Sequence, residues 1–277
     1  MGSMTNDLEV KFLDHCLNKD VYSKPATVYV GLCTADPTDA ATGASCNEVA
    51  NQYAYARTAI TFAAAASRAI AQTGAVNFPQ ASGGGWGTVS HWVLLDASAY
   101  GTGNVMAYGA FSASKTINDG NTASIANGEI TVSFSAGEVS NYLANIWLDY
   151  AFRNQTFACP DTYVALVKTT TVADDDTGSS IIEPSGGSYA RVQVYDNLSG
   201  SPDWDVAVSG DPSYVDNNDD ISFPAATADW GTIIAVAICD ASSAGNLLFY
   251  DNEMSDQDVN NGDTAKFPAG DLGIQCS

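Results

Sequence analysis

Phe78-Pro79, Trp86-Gly87-Thr88, an apolar run from Val89 to Leu95 and Asp96-Ala97-Ser98 return later in the chain as Phe223-Pro224, Trp230-Gly231-Thr232, Ile233 to Cys239 and Asp240-Ala241-Ser242. Working outward, Gly103-Asn104 is answered by Gly245-Asn246, and Asn118-Asp119-Gly120 by Asn260-Asn261-Gly262. Upstream, Tyr29-Val30-Gly31-Leu32 pairs with Tyr163-Val164-Ala165-Leu166, Tyr55-Ala56-Arg57 with Tyr189-Ala190-Arg191, and Leu13-Asp14 with Leu148-Asp149. Order is kept while the offset drifts only between about 134 and 145 residues, the pattern of loop insertions within a duplicated unit. A tandem repeat follows, with a first unit over 5–136 and a second over 141–277. The intervening Ser135-Ala136-Gly137-Glu138-Val139-Ser140 is short enough to keep the two close together.

Each copy opens on a helical pattern: Leu8, Phe12, Leu13, Cys16 and Leu17 after Asn6, and Leu143, Ile146, Trp147, Ala151 and Phe152 after Asn141. The helices are expected to end near Asn18 and Asn154. Beyond them, short apolar or alternating runs are separated by Gly, Pro, Asn and Asp clusters, which predicts strands. First strands fall at Thr27 to Cys33 and Thr162 to Val167, and the next at Ala54 to Phe62 and Tyr189 to Tyr195. Val76-Asn77-Phe78 and Ile221-Ser222-Phe223 should close at the following Pro, which cannot donate to a ladder. Val89 to Leu95 and Ile233 to Cys239 read as central strands covered on both faces. Val105 to Phe111, Leu247 to Tyr250, Ile130 to Phe134 and Leu272 to Gln275 complete the pattern. The fold class is therefore all-β: two tandem antiparallel β-sandwich domains, each preceded by a short N-terminal helix.

Composition bounds the function. The chain of 277 residues carries 32 acids against 10 bases, a net charge of −22, so phosphate backbones are repelled and nucleic acid is an unsuitable partner. The halves differ: 11 acids and 6 bases up to Glu138 give −5, while 21 acids and 4 bases from Asp149 give −17. No run approaches a membrane span and no secretory signal is visible; Met1-Gly2-Ser3-Met4 reads as a vector scar before a native Met4.

Catalytic chemistry finds little support. Only His15 and His91 titrate near neutrality, neither is matched in the other copy, and both are read as structural. No nucleophile elbow is present, and Ser82 to Gly87 lacks the Lys and following helix of a phosphate loop. Cysteines 16, 33, 46, 159, 239 and 276 form no zinc spacing. Cys33 and Cys46 could staple a loop, and Cys239 aligns with Leu95 as a core residue. Structural Ca²⁺ is a further option at Asp174-Asp175-Asp176, Asp216 to Asp220, or Asp258, Asn260 and Asp263 around Gly262, although Ala269 stands where a calcium loop needs Glu. Trp86 and Trp230 either close the sandwich core or offer a sugar platform, the first reading favoured because both copies keep Gly-Thr beside them. No catalytic, cofactor-binding or metal residue is assigned.

The ordered set Pro25-Ala26-Thr27-Val28-Tyr29-Val30, Tyr55-Ala56-Arg57, Trp86-Gly87-Thr88, Lys115-Thr116-Ile117 and Gly120-Asn121-Thr122 resembles the small virion structural proteins of tailed bacteriophages of the tail-fibre-like type. The second copy keeps Tyr189-Ala190-Arg191 and Trp230-Gly231-Thr232 but has the acidic stretch Glu253 to Asp258 in place of Lys115-Thr116. That resemblance implies a non-enzymatic β-sandwich in the virion, a head decoration or a tail or neck appendage. It would contact capsid, neck or tail proteins as a homo-oligomer on the particle. The alternative is an adhesin that binds host surface glycans.

Overall fold

The computed structural model describes residues 2–134, 138–194 and 202–276. In the first copy α1 (Asn6–Cys16) accompanies β1 (Ser3–Met4), β2 (Val28–Cys33), β3 (Thr58–Phe62), β4 (Ala69–Thr73), β5 (Val76–Gln80), β6 (Gly87–Leu95), β7 (Val105–Ile117), β8 (Thr122–Ile125) and β9 (Thr131–Ser133). In the second, α2 (Asn141–Arg153) precedes β10 (Thr162–Val167), β11 (Val192–Val194), β12 (Ser213–Asp216), β13 (Ile221–Ser222), β14 (Gly231–Ile233), β15 (Ala235–Cys239), β16 (Leu247–Asp251), β17 (Gln257–Val259), β18 (Lys266–Phe267) and β19 (Gly273–Cys276).

The first copy forms a sheet in the order β1-β7-β6-β2-β3-β4-β9, with β5-β8 as a separate pair. Gly2 bridges to Val132 and donates to the Thr131 carbonyl at 2.8 Å, so the two edges of the sheet meet and it closes toward a barrel. Closure removes exposed edges. The second copy repeats the plan in pieces, as β11-β10-β15-β16 with the pairs β12-β19, β13-β18 and β14-β17. At its centre, Tyr163 opposite Cys239 reproduces Tyr29 opposite Leu95, which places Cys239 in the core as its alignment predicts.

Both helices pack across the repeat boundary. α1 lies on β7 of its own copy and on β12 of the second; α2 lies on β16 of its own copy and on β3 and β4 of the first. Equivalent residues fasten them. Asp14 accepts from the Ala207 amide at 2.8 Å, and Asp149 accepts from the Ala65 amide at 2.8 Å, so the repeated Leu-Asp is a reciprocal latch between copies. At the other end of each helix, the Thr5 amide and hydroxyl donate to Met106 and Val105, as those of Ser140 do to Leu248 and Leu247. Between them Phe12 meets Phe134, Trp147 and Phe249 at centroid distances of 5.1, 5.3 and 5.8 Å, and one continuous apolar core runs from Met4 to Cys276. Burying an aromatic of that size contributes about 1.5–3 kcal/mol by transfer alone.

Several local expectations shift. Thr5 and Ser140, rather than Asn6 and Asn141, occupy the N-cap positions, and Ser140 also accepts from the Leu143 amide. β5 does not stop at Phe78: it runs through Pro79 to Gln80, because a register shift between Asn77 and Gln80 puts the missing N–H at a bulge. Gly2 to Met4 are built into the sheet. The predicted strands at Ala54 to Phe62 and Tyr189 onward are shorter, beginning at Thr58 and Val192, whereas β7 extends to Ile117. Ser135 to Gly137 of the connecting stretch and Tyr195 lie outside the described residues.

Candidate functional site

The repeated motifs converge on one cluster in each copy. Arg57 binds Glu48 through Nε and Nη2 at 2.9 and 2.8 Å and donates to the carbonyls of Ala97, Thr102 and Gly43. Arg191 does the same with Glu183 and the carbonyls of Ala241, Ala244 and Gly178. A planar guanidinium with five donors in a fixed fork suits this clamp on three loop carbonyls and a carboxylate. Tyr55 and Tyr189 donate to the same glutamates at 2.8 and 2.7 Å and accept from the Leu32 and Leu166 amides. Burial and the neighbouring Glu48 hold the Tyr55 phenol far above its ordinary range, so it stays a donor.

Those tyrosines carry the aromatic nucleus. Tyr55 stacks on Phe78 and meets Trp86 edge-on at 5.2 Å; Tyr189 stacks on Phe223 and meets Trp230 edge-on at 5.2 Å. Trp86 is 6% exposed and Trp230 2%, and their indole N–H groups donate to the loop carbonyls of Tyr53 and Gly187. Both tryptophans therefore close the core, and neither presents a face for a sugar. Gly103 and Gly245 complete the pattern at φ 78° and 75°: a Cβ there would lie 2.4 Å from Asp96 or Asp240, which hold the following Asn104 and Asn246.

The other candidates also have structural partners. His15 sits between the helices, stacked on Tyr150 at 4.8 Å; its Nδ1 faces the Tyr22 amide and the Cys159 thiol, and its Nε2 the Phe157 carbonyl. Burial lowers its pKa, so it remains neutral. His91 lies in β6 beside Ser90. Asp119 accepts from Gly83 and Gly84, making the glycine-rich stretch a turn. Cys33 and Cys46 are buried free thiols in contact, and their hydrogen bond together with burial pushes the Cys33 thiol up. Of the acidic clusters, Asp176 binds Ala173 and Ser180, Asp220 binds Lys266, and Asp263 binds the Asn260 amide. Among the described residues no group of three or more His, Cys, Asp or Glu side chains is arranged to hold a metal ion, and no helix is long and apolar enough to cross a membrane.

One difference between the copies concerns open space. A cleft beside β14, β17 and β18 measures about 450 Å³ and is lined by Leu166, Ile233, Val259, Met254 and Phe267 with Asp258 and Asp263 at its rim. Its counterpart beside β6, β7 and β8, lined by Leu32, Val89, Ile117, Ile125 and Phe111, measures about 70 Å³. Sequence reading singled out Glu253 to Asp258 as divergent without locating a cleft there.

Compared with known families, the chain is matched twice by the model of podophage GP4 fiber I protein gp80, over residues 3–133 and again over 138–275. The chain belongs to this family. No curated protein matches it. The double match follows the internal repeat, and the tail-fibre-like resemblance of the motifs agrees with it. Members are phage fiber proteins, which makes this chain a structural component of the virion that associates with other virion proteins.

Proposed function

We propose that the chain is a non-enzymatic tail appendage. Its repeats, bounded at 5–136 and 141–277, divide the work: the first makes the assembly contact and the second faces solvent or the host. The observation that carries this reading is the charge contrast on a shared skeleton. The motifs common to both copies hold the fold together, so their surfaces are free to diverge, and one half carries −5 while the other carries −17. Assembly interfaces are depleted in unpaired charge, and a strongly acidic surface is costly to bury. The glycan alternative loses its two tryptophan platforms, both of which are buried.

Immunogold labelling of intact particles tests the location, with label expected at the tail. Label confined to the head would make it a decoration instead. Cross-linking mass spectrometry of purified virions with a carboxylate-reactive linker tests the division of labour. Links to other virion proteins should concentrate in the first copy although the second has more carboxylates, and the reverse pattern would overturn the assignment.

A further inference from the structure

Duplication supplies an internal control for the cleft. In the first copy β7 continues to Ile117, and Phe111 is half-buried against the core with its side chain in the cleft lining. In the second copy the matching strand is interrupted after Asp251 and resumes at Gln257. The register is the same, since Ile233 faces Gln257 as Val89 faces Lys115, so the position of Phe111 falls to Glu253, which is exposed. Asn252 anchors this segment elsewhere: its side-chain amide exchanges two hydrogen bonds of 2.8 Å with the backbone of Val172. The second cleft has thus lost its aromatic plug. Met254 and Phe267 stand half-buried over a floor of Leu166, Ile233 and Val259, and the space falls within the roughly 300–1,000 Å³ typical of ligand-bearing pockets.

Charge indicates the occupant. The first cleft is balanced, with Lys115 and Glu129. The second has Asp258 and Asp263 at its rim, which accept from the Thr232 hydroxyl and the Asn260 amide but have no cation among the lining residues to balance them, since its ammonium, Lys266, is paired with Asp220. An apolar floor under an acidic rim, within a half carrying −17, matches an apolar chain that brings a positive charge.

We propose that this cleft docks a basic amphipathic peptide segment of a partner protein, with its apolar side chains seated between Met254 and Phe267 and a lysine or arginine at Asp258 and Asp263. The docking role is additional to fibre assembly and stands whichever face of the particle the second copy occupies.

The test uses the full-length chain, ¹⁵N-labelled and titrated with a synthetic hexapeptide of alternating leucine and lysine, then with the same peptide carrying glutamate for lysine. The basic peptide should shift resonances of Met254, Val259 and Phe267 and bind at least about tenfold more tightly than the acidic one. Two substitutions of equal charge separate the cleft from general attraction to an acidic protein. Glu253→Phe restores the plug of the first copy and should abolish those shifts, while Glu253→Gln should keep them. Equal binding by both variants, equal affinity for both peptides, or no binding of either peptide to the unsubstituted chain would each overturn the proposal.

Discussion

The two copies share a skeleton in register and differ in what they expose. Arg57 and Arg191, Trp86 and Trp230, and Asp14 and Asp149 make matching contacts in both halves, whereas the cleft is plugged by Phe111 on one side and open beside Glu253 on the other. What a repeat retains is thus the set of bonds that hold loops to strands. The first half has a balanced cleft and a net charge of −5, and the second carries −17 on the same set of bonds.

The strongest way to break the comparison is to delete its aromatic centres. Trp86→Ala and Trp230→Ala should each cost about 3–5 kcal/mol, measured by denaturant unfolding, because each removes a buried indole and its hydrogen bond to a loop carbonyl. Similar losses are expected, and a nearly silent substitution in either copy would mean that the equivalence is formal only. Next, Arg57→Ala should cost about 3–5 kcal/mol, since it leaves the Glu48 side chain, 3% exposed, without its counter-charge. Arg191→Ala should cost less, because the Glu183 side chain is 18% exposed and can be hydrated. Equal losses would show that the carbonyl clamp, rather than the carboxylate, sets the energy.

A third test exploits a position where the helices differ. Glu9 of α1 is buried and accepts from Ser213, while Ala144 occupies the matching place in α2. Burial, together with Asp39 and Asp211, outweighs that hydrogen bond and pushes the Glu9 carboxyl up from 4.5 to about 7. A raised folded-state pKa contributes stability fully below the ordinary glutamate range and loses it as pH rises through about 7. Cys276 and Tyr108 face the same pocket but titrate above this window, their groups raised by burial. Glu9→Gln should therefore be more stable than the parent by roughly 2–3 kcal/mol at pH 8, the linkage span less some solvent screening, and nearly equal to it at pH 4.5. His15 has the opposite sign, losing stability as pH falls below 6.5, and is common to both proteins, so the difference isolates Glu9. A difference that does not change with pH would refute the assignment. The smallest effect is at the caps: Ser140→Ala should cost about 1–2 kcal/mol and Thr5→Ala about 1, because Ser140 both caps its helix and ties it to β16, whereas Thr5 only ties α1 to β7. Thermal melts resolve that ranking, and reversed values would defeat it.

Much of this was legible in the sequence because repetition marks constraint. Tyr-Ala-Arg, Phe-Pro and Trp-Gly-Thr recur in order, and they meet in space. What a single chain could not reveal is which surface an amphipathic helix covers: the face of α1 is written in Leu8, Phe12 and Leu13, but its placement against β12 of the other copy depends on closure of the whole fold. Short strands such as Gln257–Val259 and Lys266–Phe267 carry too little β propensity and too many polar residues to stand out. The open cleft left a faint trace in Glu253 to Asp258, but only the strand register turns that acidic stretch into a missing plug.

Reciprocal helix exchange also governs how the molecule answers dilution. Two separate chains embracing through exchanged helices would have a stability tied to protomer concentration and would part as they became scarce. Here both helices belong to one polypeptide, so each half meets the other at an effective concentration fixed by their covalent connection. The mutual repulsion of an acid-laden half then has no free partner to drive off, and a particle diluted far below any dissociation constant keeps this component intact.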